Sequence, residues 1–144
     1  MSEVAAASPQ DLIAVRVLLE GSGLPTSDLE SARPDFAIIR ESGQVIAAGA
    51  LQRFGSCALL RSVAVAPHRR GAGLGRQVVH ELERMARAAG ISRLVLLTET
   101  AAAFFAREGY RVVERSSAPG QMQASEEFRS LCPSSATCME KRDL

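Results

Sequence analysis

A glycine-rich segment, Arg69-Arg70-Gly71-Ala72-Gly73-Leu74-Gly75, lies between an apolar stretch and an amphipathic one. A strand that runs into such a turn and then into a helix leaves backbone N–H groups unpaired at the start of the helix. Glycines let the backbone approach phosphate oxygens closely, and arginines add positive charge. The segment therefore predicts a phosphate site. An ordinary strand-to-helix turn with surface arginines is the alternative.

Two commoner kinds of glycine loop do not fit this segment. A dinucleotide-binding loop needs a third glycine at the position of Arg76, and a nucleotide phosphate loop needs Gly-Lys followed by Ser or Thr, which the chain lacks here. The segment is thus a candidate phosphate loop of a different type.

The periodicity of apolar residues indicates how the loop is positioned. Phe36 to Arg40, Val45 to Gln52 and Cys57 to Val65 are typical of three strands in an antiparallel meander. Leu74 to Ala89 has helical spacing, and Arg93 to Leu97 follows as a further strand. A strand, helix, strand crossover makes the flanking strands parallel, so this last strand should lie parallel to Cys57–Val65.

The remaining segments complete a mixed α/β fold in one domain, 1–144, with six or seven mostly antiparallel strands and about four helices. The flanking predictions, in chain order, are a strand at 4–7, a helix start at 8–11, a helix through Leu19, an irregular segment or short helix at 25–34, a helix at 101–108, a strand at 110–115, a loop at 116–126 and a strand at 136–141.

Composition limits the class of protein. The 144 residues carry a formal net charge of +1, which gives no reason to expect nucleic acid as a partner. No apolar run approaches the length of a membrane span and no signal follows Met1, so a cytoplasmic protein is expected. Cys57, Cys132 and Cys138 have neither CxxC spacing nor a nearby histidine, which predicts no metal site. An apolar edge could support a homodimer, although nothing in the residues requires one.

Arg70-x-x-Gly73-x-Gly75, preceded by Arg61-Ser62-Val63-Ala64-Val65-Ala66-Pro67, resembles the acyl-CoA signature of the GNAT superfamily of N-acetyltransferases. The resemblance extends from about Phe36 to Val113. The segment Phe104-Phe105-x-x-x-Gly109-Tyr110 is similar to the aromatic pair, glycine and aromatic residue that recur after the fifth strand of that family. The resemblance implies an acetyl-CoA-dependent N-acetyltransferase whose sheet splays at its parallel strand pair.

By this resemblance, main-chain groups near Val63 and Val65 bind the pantetheine arm, and N–H groups of the glycine loop hold the pyrophosphate. An N–H at Val63 would polarise the thioester carbonyl. The residues that the resemblance implies for acetyl-CoA binding are Val63, Ala64, Val65, Arg70, Gly71, Ala72, Gly73, Leu74, Gly75, Arg76, Thr100, Phe104 and Phe105.

The acid and base that many relatives use are missing. Their strand glutamate corresponds to Leu59, and the tyrosine that reprotonates coenzyme A in several of them corresponds to Phe105. Ser62 and Glu99 are the candidate catalytic residues, with Glu99 as the base, either directly or through a water. A solvated acid at a helix start is the alternative for Glu99. Tyr110 either packs or supplies an acid.

The acceptor is predicted from a charged residue in an apolar strand, Arg61, and from the C-terminal segment 127–136, here called the tail. Arg61 would grip a substrate carboxylate or form a structural salt bridge. The tail 127–136 resembles amino-acid N-acetyltransferases of the glutamate-acetylating type and a stand-alone branch associated with arsenic resistance. Cys132 and Ser134 or Ser135 would then lie near the substrate, as would Ser62 and Glu99.

The sequence thus predicts N-acetylation of a small amino acid or analogue, for example a glutamate-like arsenical, in a ternary complex with acetyl-CoA. Two alternatives stay open: a non-catalytic coenzyme-A-binding module and an acetyltransferase for protein lysines or N-termini.

Overall fold

The structure, a computed structural model, describes residues 3–144. Its strands are β1 (Glu3–Ala6), β2 (Asp35–Glu41), β3 (Gln44–Phe54), β4 (Cys57–Val65), β5 (Arg93–Thr98), β6 (Arg111–Val112) and β7 (Thr137–Arg142). Its helices are α1 (Leu12–Gly21), α2 (Leu29–Ala32), α3 (Leu74–Ala88), α4 (Ala102–Arg107), α5 (Gly120–Gln123) and a π-helix over Glu127–Leu131. Short 3-10 turns cover Pro9–Asp11, Pro67–Arg69 and Arg115–Ser117.

The strands form one sheet in the order β1-β2-β3-β4-β5-β7-β6. Every neighbouring pair is antiparallel except β4 and β5. The predicted mixed α/β fold with its meander and its parallel pair is therefore confirmed. Across residues 3–144, no helix combines the length and the hydropathy needed to cross a membrane.

Strand β4 lies at the centre of the sheet, and side chains on both of its faces are buried, as its apolar sequence predicted. Ala58 and Leu60 pack with α3 on one face. On the other face, Ala64 packs with α1, and Leu59 packs with Met122 and Phe128 from the C-terminal segment. Two different elements thus cover the second face, one toward each end of β4.

Helix α3 packs closely on β3 at Gly49. A Cβ at Gly49 would lie 2.6 Å from Val78 Cγ1 and 2.9 Å from Leu82 Cδ1, so only glycine permits this approach. The predicted polar face of the helix contains one exception, since Glu83 is buried. Tyr110 Oη donates a 2.8 Å hydrogen bond to Glu83 Oε2, and Lys141 Nζ lies 3.0 Å from the same oxygen.

The parallel pair diverges after its first residues. Within residues 3–144, the register between β4 and β5 ends at Leu59 opposite Val95. A β-bulge then interrupts the pairing of β4 with β3 near Gly49, and Ser62 in the bulge has a φ of +59°, which is left-handed. A bulge increases local twist and redirects side chains, and it bends the end of β4 away from β5 here.

The C-terminal quarter differs from its predictions. The strand predicted at 110–115 is limited to β6, because Tyr110 is buried in the core with its ring centroid 5.6 Å from that of Phe105. The segment predicted as a loop at 116–126 contains α5, which buries Met122. Strand β7 lies between β5 and β6, so it is an internal strand of the sheet and β6 forms the edge.

Candidate active site

The glycine loop, residues 69–75, joins β4 to α3. Gly71 and Gly73 have φ values of +83° and +79°, in the left-handed region where other residues are strained. Gly73 immediately precedes α3, and no side chain of the described residues caps the first turn of the helix. The N–H groups of that turn are therefore available to an anion.

An open cleft of about 610 Å³, here called the loop cleft, lies against this loop. Its charged lining comprises Arg69, Arg70, Arg76, Arg107 and Glu108. Arg70 Nε donates a 3.2 Å hydrogen bond to the carbonyl of Val65, and Arg76 Nε lies 3.6 Å from a Glu108 oxygen. Arg69 is paired with Glu41, which lies outside this lining. The other three guanidinium groups lie against one carboxylate, so the cleft keeps a net positive charge, as a pyrophosphate site requires.

A second cleft, of about 340 Å³, opens where β4 and β5 diverge, and is here called the strand cleft. Ser62 and Val63 of the bulge line one side, and Thr98 and Glu99 at the end of β5 line the other. Phe104 lines both clefts, so the two spaces adjoin at its ring. A long ligand bound by its phosphates at the loop could therefore extend into the strand cleft.

The residues predicted to bind acetyl-CoA divide between the two clefts. The residues that line the strand cleft are Val63, Thr100, Phe104 and Phe105. Those that line the loop cleft are Val65, Arg70, Gly71, Gly73, Leu74, Gly75, Arg76 and also Phe104. Ala64 packs against α1, and Ala72 is exposed in the loop outside both linings.

Beside the strand cleft lies a buried group of ionisable residues, Asp28, Arg61 and Glu127, here called the Arg61 cluster. Arg61 Nη1 and Nη2 donate to the two oxygens of Asp28 at 2.6 and 2.7 Å. Arg61 Nε lies 3.3 Å from Glu127 Oε1, and it donates to Ser62 Oγ at 3.3 Å. Nη1 also donates to Gln52 Oε1 at 3.0 Å.

This cluster corrects the expectation that Arg61 is free to grip a substrate carboxylate. The side chain of Arg61 is 0% exposed, and Asp28 already occupies both terminal nitrogens. Of the two alternatives that the sequence left open, the structure has the salt bridge. A guanidinium buried in a strand needs such a partner, because an unpaired charge in the interior is strongly unfavourable.

The Arg61 cluster holds two carboxylates and one guanidinium. Burial raises the pKa of Glu127 to about 7; Arg61 opposes this rise, and Asp28 adds to it. Burial also raises the pKa of the half-buried Cys132 to about 11, with the charge of Glu127 as the next cause. Burial thus favours the protonated form of both the Cys132 thiol and the Glu127 carboxyl group.

The other predicted substrate and catalytic residues lie in different places. Ser62, Glu99 and Cys132 all line the strand cleft, and Glu99 is exposed there. Ser134 is exposed and lines a separate cleft with Arg115, so the structure does not bring it together with Cys132. A substrate contact for Ser134 stays a prediction.

Of the two alternatives for Tyr110, the structure has packing, since its side chain is buried against Phe105. Its hydroxyl donates to Glu83, and burial, followed by the charge of Glu83, raises its pKa far above the ordinary value. Leu59 is fully buried under Met122 and Phe128, so no side chain replaces the strand glutamate at its own position.

Residues 32–112 match a family model described as an acetyltransferase (GNAT) domain. The match covers more than half of the chain and includes both the bulged strand and the glycine loop. The chain belongs to the GNAT acetyltransferase family. The resemblance recognised in the loop and its flanking strand is confirmed at this level.

Individual relatives support the same fold. An "IAA acetyltransferase" of Azospirillum brasilense is 35% identical in an alignment of 92 residues that covers 58% of this chain and 60% of that relative. Rv2747 of Mycobacterium tuberculosis, solved in complex with CoA and NLQ, has a TM-score of 0.84 and 26% identity, with 99% of each chain covered. N-acetylglutamate synthase of Neisseria gonorrhoeae, complexed with coenzyme A and N-acetyl-glutamate, has a TM-score of 0.84 and 22% identity; all of this chain matches 35% of that one.

Asp28 and Glu127 are the site residues that sequence reasoning missed. Both lie in segments without strong periodicity, far from β4 in sequence. The available signal was Arg61 itself, since a cation in an otherwise apolar strand requires a buried anion. That argument predicts a partner but does not say which of the 16 acidic residues supplies it.

Proposed function

We propose that this chain is an acetyl-CoA-dependent N-acetyltransferase that acts on a small amine. The observation that carries the proposal is the junction of the two clefts at Phe104. Phosphates at the glycine loop and a thioester between β4 and β5 would place the acetyl carbon within the strand cleft. The bulge at Ser62 would then turn main-chain donors toward the thioester oxygen, where negative charge develops during attack.

We assign the following roles within this proposal. The main chain at Val63 polarises the thioester carbonyl, and Ser62 contacts the acceptor. Glu99 attracts the acceptor's ammonium group at the open side of the strand cleft, where it is exposed. Direct attack by the amine in a ternary complex suits the geometry, because both substrates would occupy adjoining clefts and no covalent carrier is needed.

The acceptor that we propose is a small amino acid or an amino-acid analogue, with a glutamate-like arsenical as one candidate. The volume of the strand cleft, about 340 Å³, suits a ligand of that size better than a folded protein segment. The tail 127–136, which resembles the glutamate-acetylating and arsenic-resistance branches, supports the candidate. Because Arg61 is already paired with Asp28, a carboxylate on the acceptor would need another partner.

The test is a thiol-release assay with acetyl-CoA over a panel of amino acids, glutamate analogues, simple amines and lysine peptides. We expect at least one small amine to give turnover well above acetyl-CoA hydrolysis. Turnover with peptides alone would contradict the small acceptor, and no turnover with any amine would contradict the enzyme.

One specific observation favours a second candidate, a coenzyme-A-binding module without catalysis. The positions of the usual acid and base hold Leu59 and Phe105, and both are buried hydrocarbon side chains. Calorimetry separates the candidates when it is combined with the assay above: tight acetyl-CoA binding without turnover on the whole panel would favour the module.

A further inference from the structure

Segments that lie far apart in the sequence meet at the strand cleft. Besides the end of β5 and helix α4, its lining contains three wall segments: 22–25 between α1 and α2, Ser62 with Val63 in the bulge of β4, and Leu131 with Cys132 at the end of the π-helix. Each wall segment lies close in sequence to one member of the Arg61 cluster. The cluster is therefore placed to connect all three.

The first wall segment is anchored through Asp28. The two carboxylate oxygens of Asp28 accept hydrogen bonds from two nitrogens of Arg61 at 2.6 and 2.7 Å, a bidentate arrangement that fixes orientation as well as distance. The start of the segment is attached to α1, where the N–H of Leu24 donates to the carbonyl of Leu19 at 3.0 Å. The chain from 22 to 28 is thus held between α1 and Arg61.

The bulge forms the second wall segment. Ser62 and Val63 lie where the register between β3 and β4 shifts, and the φ of Ser62 is +59°. A residue other than glycine keeps such a conformation only where its surroundings hold it. Arg61 Nε donates a 3.3 Å hydrogen bond to Ser62 Oγ, so the guanidinium that binds Asp28 also contacts the strained residue.

The third wall segment is anchored through Glu127. Glu127 Oε1 lies 3.3 Å from Arg61 Nε, and the main-chain carbonyl of Glu127 accepts a hydrogen bond from the N–H of Cys132 at 3.0 Å. The residue that faces Arg61 and the residue that lines the cleft are therefore joined across one turn of the π-helix. Such turns are frequent at functional sites.

The guanidinium of Arg61 makes its contacts inside the protein. The side chain is 0% exposed, and each of its three nitrogens contacts another side chain. Replacing a buried ion pair by well-packed apolar side chains is often neutral for stability. Apolar side chains do not, however, orient several segments around one planar group as a guanidinium does. The geometry of the cluster, more than its stability, is the property that Arg61 supplies.

We propose that Arg61 is a positioning residue for the acceptor. By holding Asp28, Ser62 and Glu127 around one guanidinium, it sets the spacing of the three wall segments and with it the place of the acceptor amine relative to the main chain at Val63. Arg61 itself touches neither substrate. This assignment rests on the proposed acetyltransferase function and adds a residue to it. The three members of the cluster lie outside the lining of the loop cleft, so coenzyme A should bind there independently of them.

The kinetic test compares Asp28→Asn with the matched control Asp35→Asn. Each change removes one carboxylate charge, the first from the buried pair with Arg61 and the second from an exposed pair with Arg53. D28N should raise KM for the acceptor and lower kcat/KM about 100-fold, because small displacements of a bound reactant are costly. Its Kd for coenzyme A should stay within about 2-fold of the wild type, since distant sites are nearly independent. D35N should leave all of these values unchanged.

Hydrogen exchange measures the connection of the wall segments without catalysis. Arg61→Lys keeps the charge, but an ammonium group cannot bind both oxygens of Asp28 in one plane and contact Glu127 as well. We expect amides in 22–28 and 127–132 to exchange about 10-fold faster in R61K, while amides of α3 keep their rates. Arg53→Lys, in the exposed pair with Asp35, is the matched control and should change neither segment. If R61K does not fold, D28N takes its place and should raise exchange in 22–28.

The possible outcomes separate this assignment from the proposed function. A full kcat/KM for the acceptor in D28N, or a loss of coenzyme A affinity as large as the loss of kcat/KM, would overturn the positioning role while the acetyltransferase function stands. Unchanged exchange of both segments in R61K would overturn it as well. A wild type that acetylates no amine would overturn the proposed function and the acceptor role together, whereas faster exchange in R61K would still support the connection of the segments through Arg61.

Discussion

At the scale of single residues, the pairing of Arg61 determines how the acceptor end of the site is built. A guanidinium in the middle of an apolar strand binds Asp28 through two nitrogens and holds Glu127 against its third. The strand therefore carries a fixed cation whose charge is more than neutralised internally.

Replacement of Arg61 should show how strongly the cluster depends on it. Arg61→Ala leaves two buried carboxylates without a counter-ion, so we expect the free energy of unfolding to fall by about 3–5 kcal/mol at neutral pH. The matched control is Arg53→Ala, which breaks an exposed ion pair with Asp35 and should cost less than about 1 kcal/mol. Urea denaturation measures both, and equal losses would contradict the buried pair.

Glu127 should also affect how stability changes with pH. Its pKa is about 7 in the folded chain against an ordinary 4.5, so between these values the folded state binds more protons than the unfolded one. The contribution of Glu127 to stability therefore falls as pH rises from about 4.5 to about 7.

Glu127→Gln lacks this titration. Relative to the wild type, it should gain stability over that interval by an amount on the order of 3 kcal/mol. Urea denaturation at a series of pH values measures the difference between the two proteins. A difference that does not change with pH would show that Glu127 titrates normally.

At the scale of elements, the sequence predicted the parts whose patterns are strong. The bounds of β4 are as predicted because turn residues precede it and proline follows it, and α3 follows from its apolar face. The parallel pairing of β5 with β4 follows from the strand, helix, strand crossover alone. The elements that supply the donor site were thus predictable from local pattern.

The acceptor side was less predictable, for physical reasons. Helix α5 has only four residues and the π-helix only five, so neither shows a full helical period. They form because Met122 and Phe128 bury themselves against Leu59. The burial of Glu83 and Glu127 likewise depends on tertiary partners, Tyr110 and Arg61, that no local pattern specifies.

The contact of α3 with β3 should be sensitive to one methyl group. Gly49→Ala places a Cβ within 3 Å of both Val78 and Leu82, so we expect a loss of about 1–3 kcal/mol in the free energy of unfolding. Since α3 begins at the glycine loop, the variant should also bind acetyl-CoA more weakly. Gly21→Ala, with no atom within 4 Å of its Cβ, is the control and should change neither value. Unaltered stability in G49A would mean that the helix is not held so closely.

Arginines that line the loop cleft should contribute to the affinity for acetyl-CoA, and exposed arginines elsewhere should not. Arg107→Ala removes a guanidinium that lines this cleft, whereas Arg87→Ala removes another exposed guanidinium, near the far end of α3. We expect the Kd for acetyl-CoA to rise about 3- to 10-fold in the first variant and to stay unchanged in the second, with a weaker salt dependence in the first. Calorimetry at two salt concentrations tests this. Equal effects would place the phosphates elsewhere.

At the scale of the whole molecule, the sheet brings two adjoining spaces to one side of its centre. The divergence of β4 from β5 opens the strand cleft, and the glycine loop that follows β4 borders the loop cleft. One strand therefore leads to both clefts: its bulge faces the strand cleft and its C-terminal end leads into the glycine loop. This continuity would join the proposed coenzyme A site to the proposed acceptor site.

The proposed acetyl transfer is tested most directly by incubating the wild-type chain with acetyl-CoA that carries an isotope-labelled acetyl group and a panel of small amines, followed by mass spectrometry of the products. Transfer to a small amine predicts that the label appears in an amide of at least one small ammonium compound, together with an equal amount of free coenzyme A. Label that remains in acetyl-CoA, or is released only as acetate, across the whole panel of amines would contradict it.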